Sequence, residues 1–247
     1  MSARSDRPQA LLLNLDDTLL DSSVIPGFIR RTCELVADAY PTSDAAELFE
    51  ANTSAWTEYW SQVEKECWLG GLDVATVSRE AWRRTLYACG SDDASVVEFA
   101  FERSQQLDRE TRRPFPDVVD LLRCAESLDL PLALVTNGPS GLQRDRLQSL
   151  GMDDVFDAVV VSAEVGVAKP DAEPFLLAVE RLGVGPSEAW HAGDSLETDV
   201  AGARAAGLTA VWVNRAGRTR EPADPSPDLE VSSLAELAVL LRGRSSG

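Results

Sequence analysis

Near the start of the chain stands Leu11-Leu12-Leu13-Asn14-Leu15-Asp16-Asp17-Thr18-Leu19-Leu20. An apolar run breaks here into an acidic turn, which is typical of a buried strand that presents polar groups at its C-terminal end. Ligands of parallel sheets bind beyond that end of the strands. The segment therefore predicts a strand over residues 10–15 and a polar site just after it.

The C-terminal half of the chain alternates short apolar segments with amphipathic ones. The strand candidates are residues 132–136, 158–162, 189–192 and 210–213, and the helix candidates between them are residues 117–128, 140–150, 172–182 and 198–206. Strands that alternate with helices predict an α/β fold with a doubly wound, Rossmann-like parallel sheet.

The segment between the first strand and the C-terminal half has a different pattern of apolar and polar residues. It is amphipathic and helical throughout, with stretches at residues 28–39, 44–62, 73–89 and 93–107. We therefore predict an α/β core domain from residues 1–21 and 112–247, and an all-helical domain inserted at residues 22–111.

Composition excludes several classes of function. The chain has 247 residues, 44% of them hydrophobic, and a net charge of −18, so nucleic acid and anionic membranes are poor partners. No apolar stretch approaches the roughly 18 residues of a membrane helix, so we expect a cytoplasmic protein. Four cysteines without C-x-x-C spacing and a single histidine, His191, disfavour a zinc site or a Ser-His-Asp triad. We expect reduced, packed cysteines and a packed His191.

Polar residues follow three more of the predicted strands, in Thr136-Asn137-Gly138, Lys169-Pro170 and Gly193-Asp194-Ser195-Leu196-Glu197-Thr198-Asp199. Each motif alone is weak, because threonines often cap strands and Gly-Asp-Ser often begins a helix. Lys169 is one of only two lysines beside 21 arginines, which favours a specific role for it.

Taken together, these four segments resemble the four motifs of the haloacid dehalogenase-like (HAD) hydrolases, in the subclass with a helical C1-type cap. The first motif of that family is Asp-x-Asp-x-Thr, and Asp16 and Thr18 match its last two positions. Two longer runs look like the branch of N-acylneuraminate-9-phosphatase and nucleotide 5′-phosphatases: Thr136-Asn137-Gly138-Pro139 and Glu164-Val165-Gly166-Val167-Ala168-Lys169-Pro170.

The resemblance implies Mg²⁺-dependent hydrolysis of a small phosphorylated metabolite, such as a sugar phosphate or nucleotide, through an aspartyl-phosphate. Position 14 would carry the nucleophile, and Asp16 would be the general acid and base. The phosphate would be bound by Thr136, Asn137, Gly138 and Lys169, and the metal by Asn14, Asp16, Asp194 and Asp199. Asp199 has a second interpretation, which is that it orients Lys169. The presence of Asp16 favours phosphate over halide, since a halide leaving group needs no proton.

Asn14 departs from the family pattern at the nucleophile, because an amide replaces the expected aspartate. We expect the chain as written to be nearly inactive. Two interpretations are open: an Asp-to-Asn substitution in an otherwise active phosphatase, or a natural pseudoenzyme that binds a phosphorylated ligand or a partner protein without turnover. The intact Asp16, Thr136, Lys169 and Asp194 favour the first.

Substrate identity and oligomeric state, monomer or homodimer, stay open at this level. In the inserted domain, Trp56, Tyr59 and Trp60 share one helix face by their i, i+3, i+4 spacing. Such a face is more typical of helix packing than of a platform for substrate.

Overall fold

The computed structural model describes residues 7–40 and 44–243, which form two compact units. One unit takes in the described parts of Met1–Asp21 and Arg113–Gly247, and the other those of Ser22–Arg112. The first strand thus belongs to the same unit as the C-terminal half of the chain.

The helical unit contains four long helices, which are α1 (Ile25–Ala39), α2 (Ala45–Trp68), α3 (Val74–Ala88) and α4 (Ala94–Thr111). Its main core packs apolar side chains of all four helices around Trp82, whose indole N–H donates to Ser104 Oγ at 3.0 Å. Helix α2 ends six residues beyond the predicted position 62, because no helix-breaking residue precedes Gly70.

The aromatic face of α2 divides into a packed and an exposed part. Tyr59 and Trp60 pack against the small cluster of Val63, Cys67 and Val77, which confirms the packing interpretation for these two rings. Trp56 is stacked on Trp60, with ring centroids 5.8 Å apart, and remains 38% exposed.

The core unit is built on a six-stranded, fully parallel sheet with the strand order β3-β2-β1-β4-β5-β6. The strands are β1 (Ala10–Leu13), β2 (Leu132–Thr136), β3 (Ala158–Val161), β4 (Ala189–Gly193), β5 (Thr209–Val213) and β6 (Leu229–Val231). β1 lies between β2 and β4 and is buried along its whole length. The C-terminal ends of β1, β2 and β4 are therefore adjacent at one edge.

Helices cover both faces of this sheet. They are α5 (Val118–Ser127), α6 (Ser140–Ser149), α7 (Ser162–Val165), α8 (Glu173–Leu182), α9 (Ala201–Ala205) and α10 (Leu234–Arg242). Leu11 and Leu13 pack in a cluster with side chains of α5 and α10, whereas Leu12 packs in another with side chains of α8 and α9. The predicted doubly wound α/β fold is confirmed.

Several differences from the sequence prediction are local. Strand β6 and helix α10 were not predicted: β6 has only three residues, too few to show a period, and it follows a proline-rich loop. The helix predicted at residues 198–206 begins with a wider π-helical turn, Leu196–Val200. The four cysteines are free, and Cys33, Cys67 and Cys124 are buried as expected, with Cys89 half-buried. No helix of the described residues combines the length and the apolar character that crossing a membrane requires.

Candidate active site

Asn14 lies directly after β1, where its backbone N–H still donates to Ala192 O of β4 at 3.0 Å. Its side-chain oxygen accepts from Lys169 Nζ at 2.9 Å. Its side-chain nitrogen donates to the main-chain oxygen of Asp16 at 2.8 Å and to Asp194 Oδ1 at 3.0 Å. The amide therefore joins three of the predicted site residues.

Lys169 reaches the same point from the loop between α7 and α8 and is 3% exposed. Besides Asn14, its ammonium donates to Val135 O at 2.9 Å and to Asp199 Oδ1 at 2.6 Å, so all three protons have acceptors. The main chain of Lys169 is held by Asn137, whose side chain accepts from Lys169 N and donates to Lys169 O, both at 2.9 Å. The Asn137 side chain thus positions the lysine in this structure.

Asp199 is buried and accepts from three groups. Two are Lys169 Nζ and the Ser195 backbone N–H, the latter at 3.1 Å, and the third is His191 Nε2 at 3.0 Å. Burial by itself would raise the pKa of Asp199, but the charge of Lys169 and the bond to His191 outweigh it and hold that pKa below its usual range. A Cβ at Gly193 would overlap the Asp199 carboxylate, so β4 needs glycine at its end. These contacts favour the interpretation in which Asp199 orients Lys169.

His191 faces this carboxylate from the middle of β4. It is buried, its ring packs edge-on against Phe175, and burial lowers its pKa. It is the packed strand residue that the sequence predicts. Its hydrogen bond to Asp199 was not predicted. His191 lies on a strand and Asp199 on a helical turn, and no sequence period relates residues on two such elements.

Asp194, the first residue after β4, is the other acid that approaches Asn14. Its Oδ1 also accepts from Thr18 Oγ1 at 2.9 Å, and its main-chain oxygen accepts from Trp212 Nε1 at 2.8 Å. Burial raises the pKa of Asp194 to about 6, and the negative charge of Asp199 contributes to the same shift. The negative charge of the Asp194 carboxylate is therefore poorly stabilised by the protein alone.

The side chain of Asp16 is about one-third exposed. Arg146 Nη1 donates to Oδ1 at 2.7 Å, and Gln143 Nε2 donates to Oδ2 at 3.0 Å. Gln143 is completely buried, and its Nε2 also lies 2.5 Å from Thr136 Oγ1 and 3.0 Å from Asn137 O. One glutamine therefore connects the ends of β1 and β2.

Gly138, two residues after the end of β2, has a backbone φ of +143°, which residues with a side chain rarely adopt. A Cβ there would lie 3.1 Å from Gln143 Cδ, so the glycine also leaves room for this side chain. Its backbone N–H donates to Ser162 Oγ at 2.9 Å. Thr136, at the end of β2, is buried beside it.

Gln143 and Arg146 are absent from the residues that the sequence predicted for the site. One signal was present: they lie three residues apart on the helix that begins right after Thr136-Asn137-Gly138, so they share a face. Their target, Asp16, is 127 and 130 positions away along the chain. Only the fold brings them to it.

A model of the haloacid dehalogenase-like hydrolase family matches residues 9–207 of this chain. The chain belongs to this family. The match covers β1 through α9 and so includes all the predicted site residues, and it confirms the resemblance to the family as a whole.

Relatives within the HAD family are phosphatases with different substrates. The chain is 34% identical to a phosphoserine phosphatase of Thermus thermophilus, with 92% of this chain and 96% of that protein covered. It is 38% identical to a glyceraldehyde 3-phosphate phosphatase of Methanopyrus kandleri, with 95% and 97% covered. It is also 28% identical to N-acylneuraminate-9-phosphatase of Mus musculus, with 96% and 94% covered.

Among solved structures, the HAD-hydrolase YfnB of Bacillus subtilis bound to magnesium aligns with a TM-score of 0.72 at 24% identity, covering 95% of this chain and 99% of that one. This structural similarity confirms the fold of the chain. The relatives together support phosphatase chemistry in the family, while their substrates range from an amino-acid phosphate to sugar phosphates.

The oxygens around Asn14 fit a magnesium ion in their chemistry. Asp194 Oδ1 and the Asp16 carbonyl both lie within hydrogen-bond distance of one atom, Asn14 Nδ2, so a positive group between them meets two hard oxygens. In the described part of the chain, no three His, Cys, Asp or Glu side chains converge as a metal site. Magnesium, however, commonly uses one or two carboxylates plus waters. In this structure, Asn14 Nδ2 donates to both of these oxygens.

Proposed function

We propose that this site catalyses Mg²⁺-dependent hydrolysis of a small phosphomonoester when position 14 carries a carboxylate. The observation that carries the proposal is the set of contacts made by one side chain. The Asn14 amide lies within 3.0 Å of Lys169 Nζ, Asp194 Oδ1 and the Asp16 carbonyl. A carboxylate at this position would face a buried ammonium on one side and a cation site on the other.

Two in-line transfers make up the proposed reaction. In the first, an oxygen of the position-14 carboxylate bonds to phosphorus while the bond from phosphorus to the leaving oxygen breaks, and Asp16 gives that oxygen its proton. In the second, water attacks phosphorus as Asp16 takes a proton from it, and the carboxylate leaves with its electron pair. Inorganic phosphate and an alcohol are the products.

Charge compensation would come from the residues that surround the phosphoryl group. Lys169 places a fixed positive charge beside position 14, and Thr136 would donate its hydroxyl to the phosphoryl group. Asn137 and Gly138 would line the phosphate site, where the Asn137 side chain holds Lys169 and the Gly138 N–H donates to Ser162 Oγ. Asp194, the Asp16 carbonyl and position 14 would hold Mg²⁺, which when bound supplies Lewis-acid charge stabilisation to the phosphoryl oxygens. Asp199 would act through Lys169, which it contacts at 2.6 Å.

With Asn14, the first transfer has no nucleophile of adequate strength. The amide carries no negative charge, and all its polar atoms are already hydrogen-bonded within the site. The second candidate function, in which the chain binds a phosphorylated ligand without turnover, follows from this loss of the nucleophile.

The deciding experiment compares the chain with its Asn14→Asp variant. We expect the variant to hydrolyse 4-nitrophenyl phosphate in the presence of Mg²⁺ at least about a thousandfold faster, by analogy with the loss of a nucleophile in other covalent enzymes. Chelation should abolish this activity, and a second change, Lys169→Met, should return it to the level of the starting chain.

Opposite results would support the binding candidate. A folded Asn14→Asp protein that is inactive towards aryl phosphates, sugar phosphates and nucleoside monophosphates contradicts the hydrolase proposal. If native mass spectrometry of the unchanged chain also retains a phosphorylated metabolite, the pseudoenzyme interpretation is favoured.

The helical unit and the cellular setting complete the proposal. We assign residues 22–111 as a C1-type cap that selects the substrate, a role that agrees with the varied substrates of relatives matched over nearly their full length. The free cysteines agree with a reducing compartment, so we place the reaction in the cytoplasm. The working form would be a monomer or homodimer.

A further inference from the structure

The first two turns of α6 carry polar side chains that the four motifs do not explain. Gln143 is fully buried although glutamine is mostly a surface residue, and Arg146 keeps only part of its side chain in solvent. Both donate to the carboxylate of Asp16, which lies in the turn after β1. A buried glutamine and an arginine on one carboxylate call for a specific reason.

Their contacts constrain Asp16 at both oxygens. Arg146 Nη1 lies 2.7 Å from Oδ1, and Gln143 Nε2 lies 3.0 Å from Oδ2. Arg146 Nη1 also donates to Gln143 Oε1 at 3.0 Å, so the two donors hold each other in place. With separate donors on its two oxygens, the carboxylate has a fixed rotation about its own axis.

The donors are themselves anchored to the phosphate side of the site. Gln143 Nε2 lies 2.5 Å from Thr136 Oγ1, and Gly138 leaves the space that Gln143 fills. The glutamine therefore sets the distance between Asp16 and the end of β2. A displaced Asp16 would lose its alignment with a phosphoryl group bound near Thr136.

We propose that Gln143 and Arg146 are positioning residues that aim Asp16 at the oxygen of the leaving alcohol. The inference rests on the proposed function, in which Asp16 gives that oxygen its proton. General acid catalysis contributes about 10²–10⁴-fold, and it requires hydrogen-bond geometry between the acid and the leaving oxygen. Removal of either positioning residue should therefore affect substrates in proportion to their need for that proton.

The kinetic test uses two phosphates of similar size in the Asn14→Asp background. Benzyl phosphate releases an alcohol that needs protonation, whereas 4-nitrophenyl phosphate releases a stabilised phenolate that does not. We expect Gln143→Met and Arg146→Met to lower kcat/KM about 10- to 100-fold for benzyl phosphate and less than about threefold for 4-nitrophenyl phosphate. The parameter kcat/KM is chosen because it reports only the steps up to release of the alcohol.

Arg144→Met is the matched control. Arg144 lies on the same helix and carries the same charge, but it is half-exposed and pairs with Glu164 at 2.8 Å. It should leave both kcat/KM values unchanged. Equal losses for the two phosphates in Gln143→Met and Arg146→Met would overturn the positioning role, because a general structural disturbance does not depend on the leaving group.

A structural test does not require activity. Crystal structures of the Asn14 chain carrying Gln143→Met or Arg146→Met should show the Asp16 carboxylate rotated from its position between Arg146 and Gln143. An unchanged Asp16 rotamer in both variants would also overturn the inference. An inactive Asn14→Asp parent in which Asp16 does rotate would contradict the proposed function and leave the positioning contacts established.

Discussion

Aspartates of the two units have opposite environments. In the helical unit, Asp44, Asp73 and Asp93 precede α2, α3 and α4, and each side chain accepts from backbone N–H groups two or three residues ahead. In the core unit, Asp16, Asp194 and Asp199 contact residues up to 180 positions away. The same side chain is a local helix cap in one unit and a long-range site residue in the other.

The difference extends to the proton affinities of Asp73 and Asp194. The pKa of Asp73 is lowered, chiefly by the hydrogen bond from the Thr76 hydroxyl and then by the Thr76 backbone N–H. The pKa of Asp194 is raised to about 6, chiefly by burial. An exposed cap is therefore stabilised in its charged form, whereas the site carboxylate is destabilised in that form.

The largest expected effect is on the buried pair of Lys169 and Asp199. Lys169→Met in the unchanged chain should lower the free energy of unfolding by about 3–5 kcal/mol, because it leaves a buried carboxylate without its cation. The control is Lys65, the other lysine of the chain, which is exposed on α2. Lys65→Met should change the free energy of unfolding by less than about 0.5 kcal/mol. Urea denaturation at pH 7.5 measures both, and a cost below about 1 kcal/mol for Lys169→Met would contradict the ion-pair interpretation.

A smaller effect of opposite sign is expected at Asp194. Asp194→Asn should raise the free energy of unfolding by about 1–3 kcal/mol at pH 7.5 without Mg²⁺, since it removes a buried charge. The folded-state pKa is above the unfolded value, so folding stability falls as pH rises from about 4 to about 6. The gain from Asp194→Asn should accordingly vanish near pH 4. Urea titrations with a chelator at the two pH values test this, and a gain independent of pH would rule out burial of the charge as its cause.

The smallest effect is expected in the helical unit. Asp73→Ala should cost about 1 kcal/mol at pH 7.5, because α3 loses its N-cap, while Asp73→Asn should retain most of the cap. Because the pKa of Asp73 is lower in the folded protein than in the unfolded one, the charged cap stabilises the fold at pH values above the unfolded-state pKa. This stabilisation is lost as the pH falls through the folded-state pKa. The cost of Asp73→Ala should thus shrink at acidic pH. A cost that grows on acidification would remove the contrast with Asp194.

Features that depend on neighbours in the sequence could be predicted. The buried strand at residues 10–13 shows as an apolar run. Helices α2, α3 and α4 of the inserted unit show as amphipathic periods that start near their capping aspartates. The motif residues Asn14, Lys169 and Asp194 could be named because each lies in a segment that resembles a family motif and follows a predicted strand, and parallel strands bring their C-terminal ends to one edge. The short β6 could not be predicted, since three residues carry no readable period.

Contacts between side chains distant in the sequence were decided by the tertiary structure alone. Gln143 and Arg146 contact Asp16 because the fold brings their side chains on α6 to the residues that follow β1, and His191 contacts Asp199 because the turn after β4 folds back over Gly193. The sequence by itself determined the fold class and the edge of the sheet where the motif residues gather, and it has Asn14 where the resembling family motif has an aspartate. The tertiary structure decided which donors surround each carboxylate, because hydrogen bonds and burial depend on distance in space and leave no periodic signal along the chain.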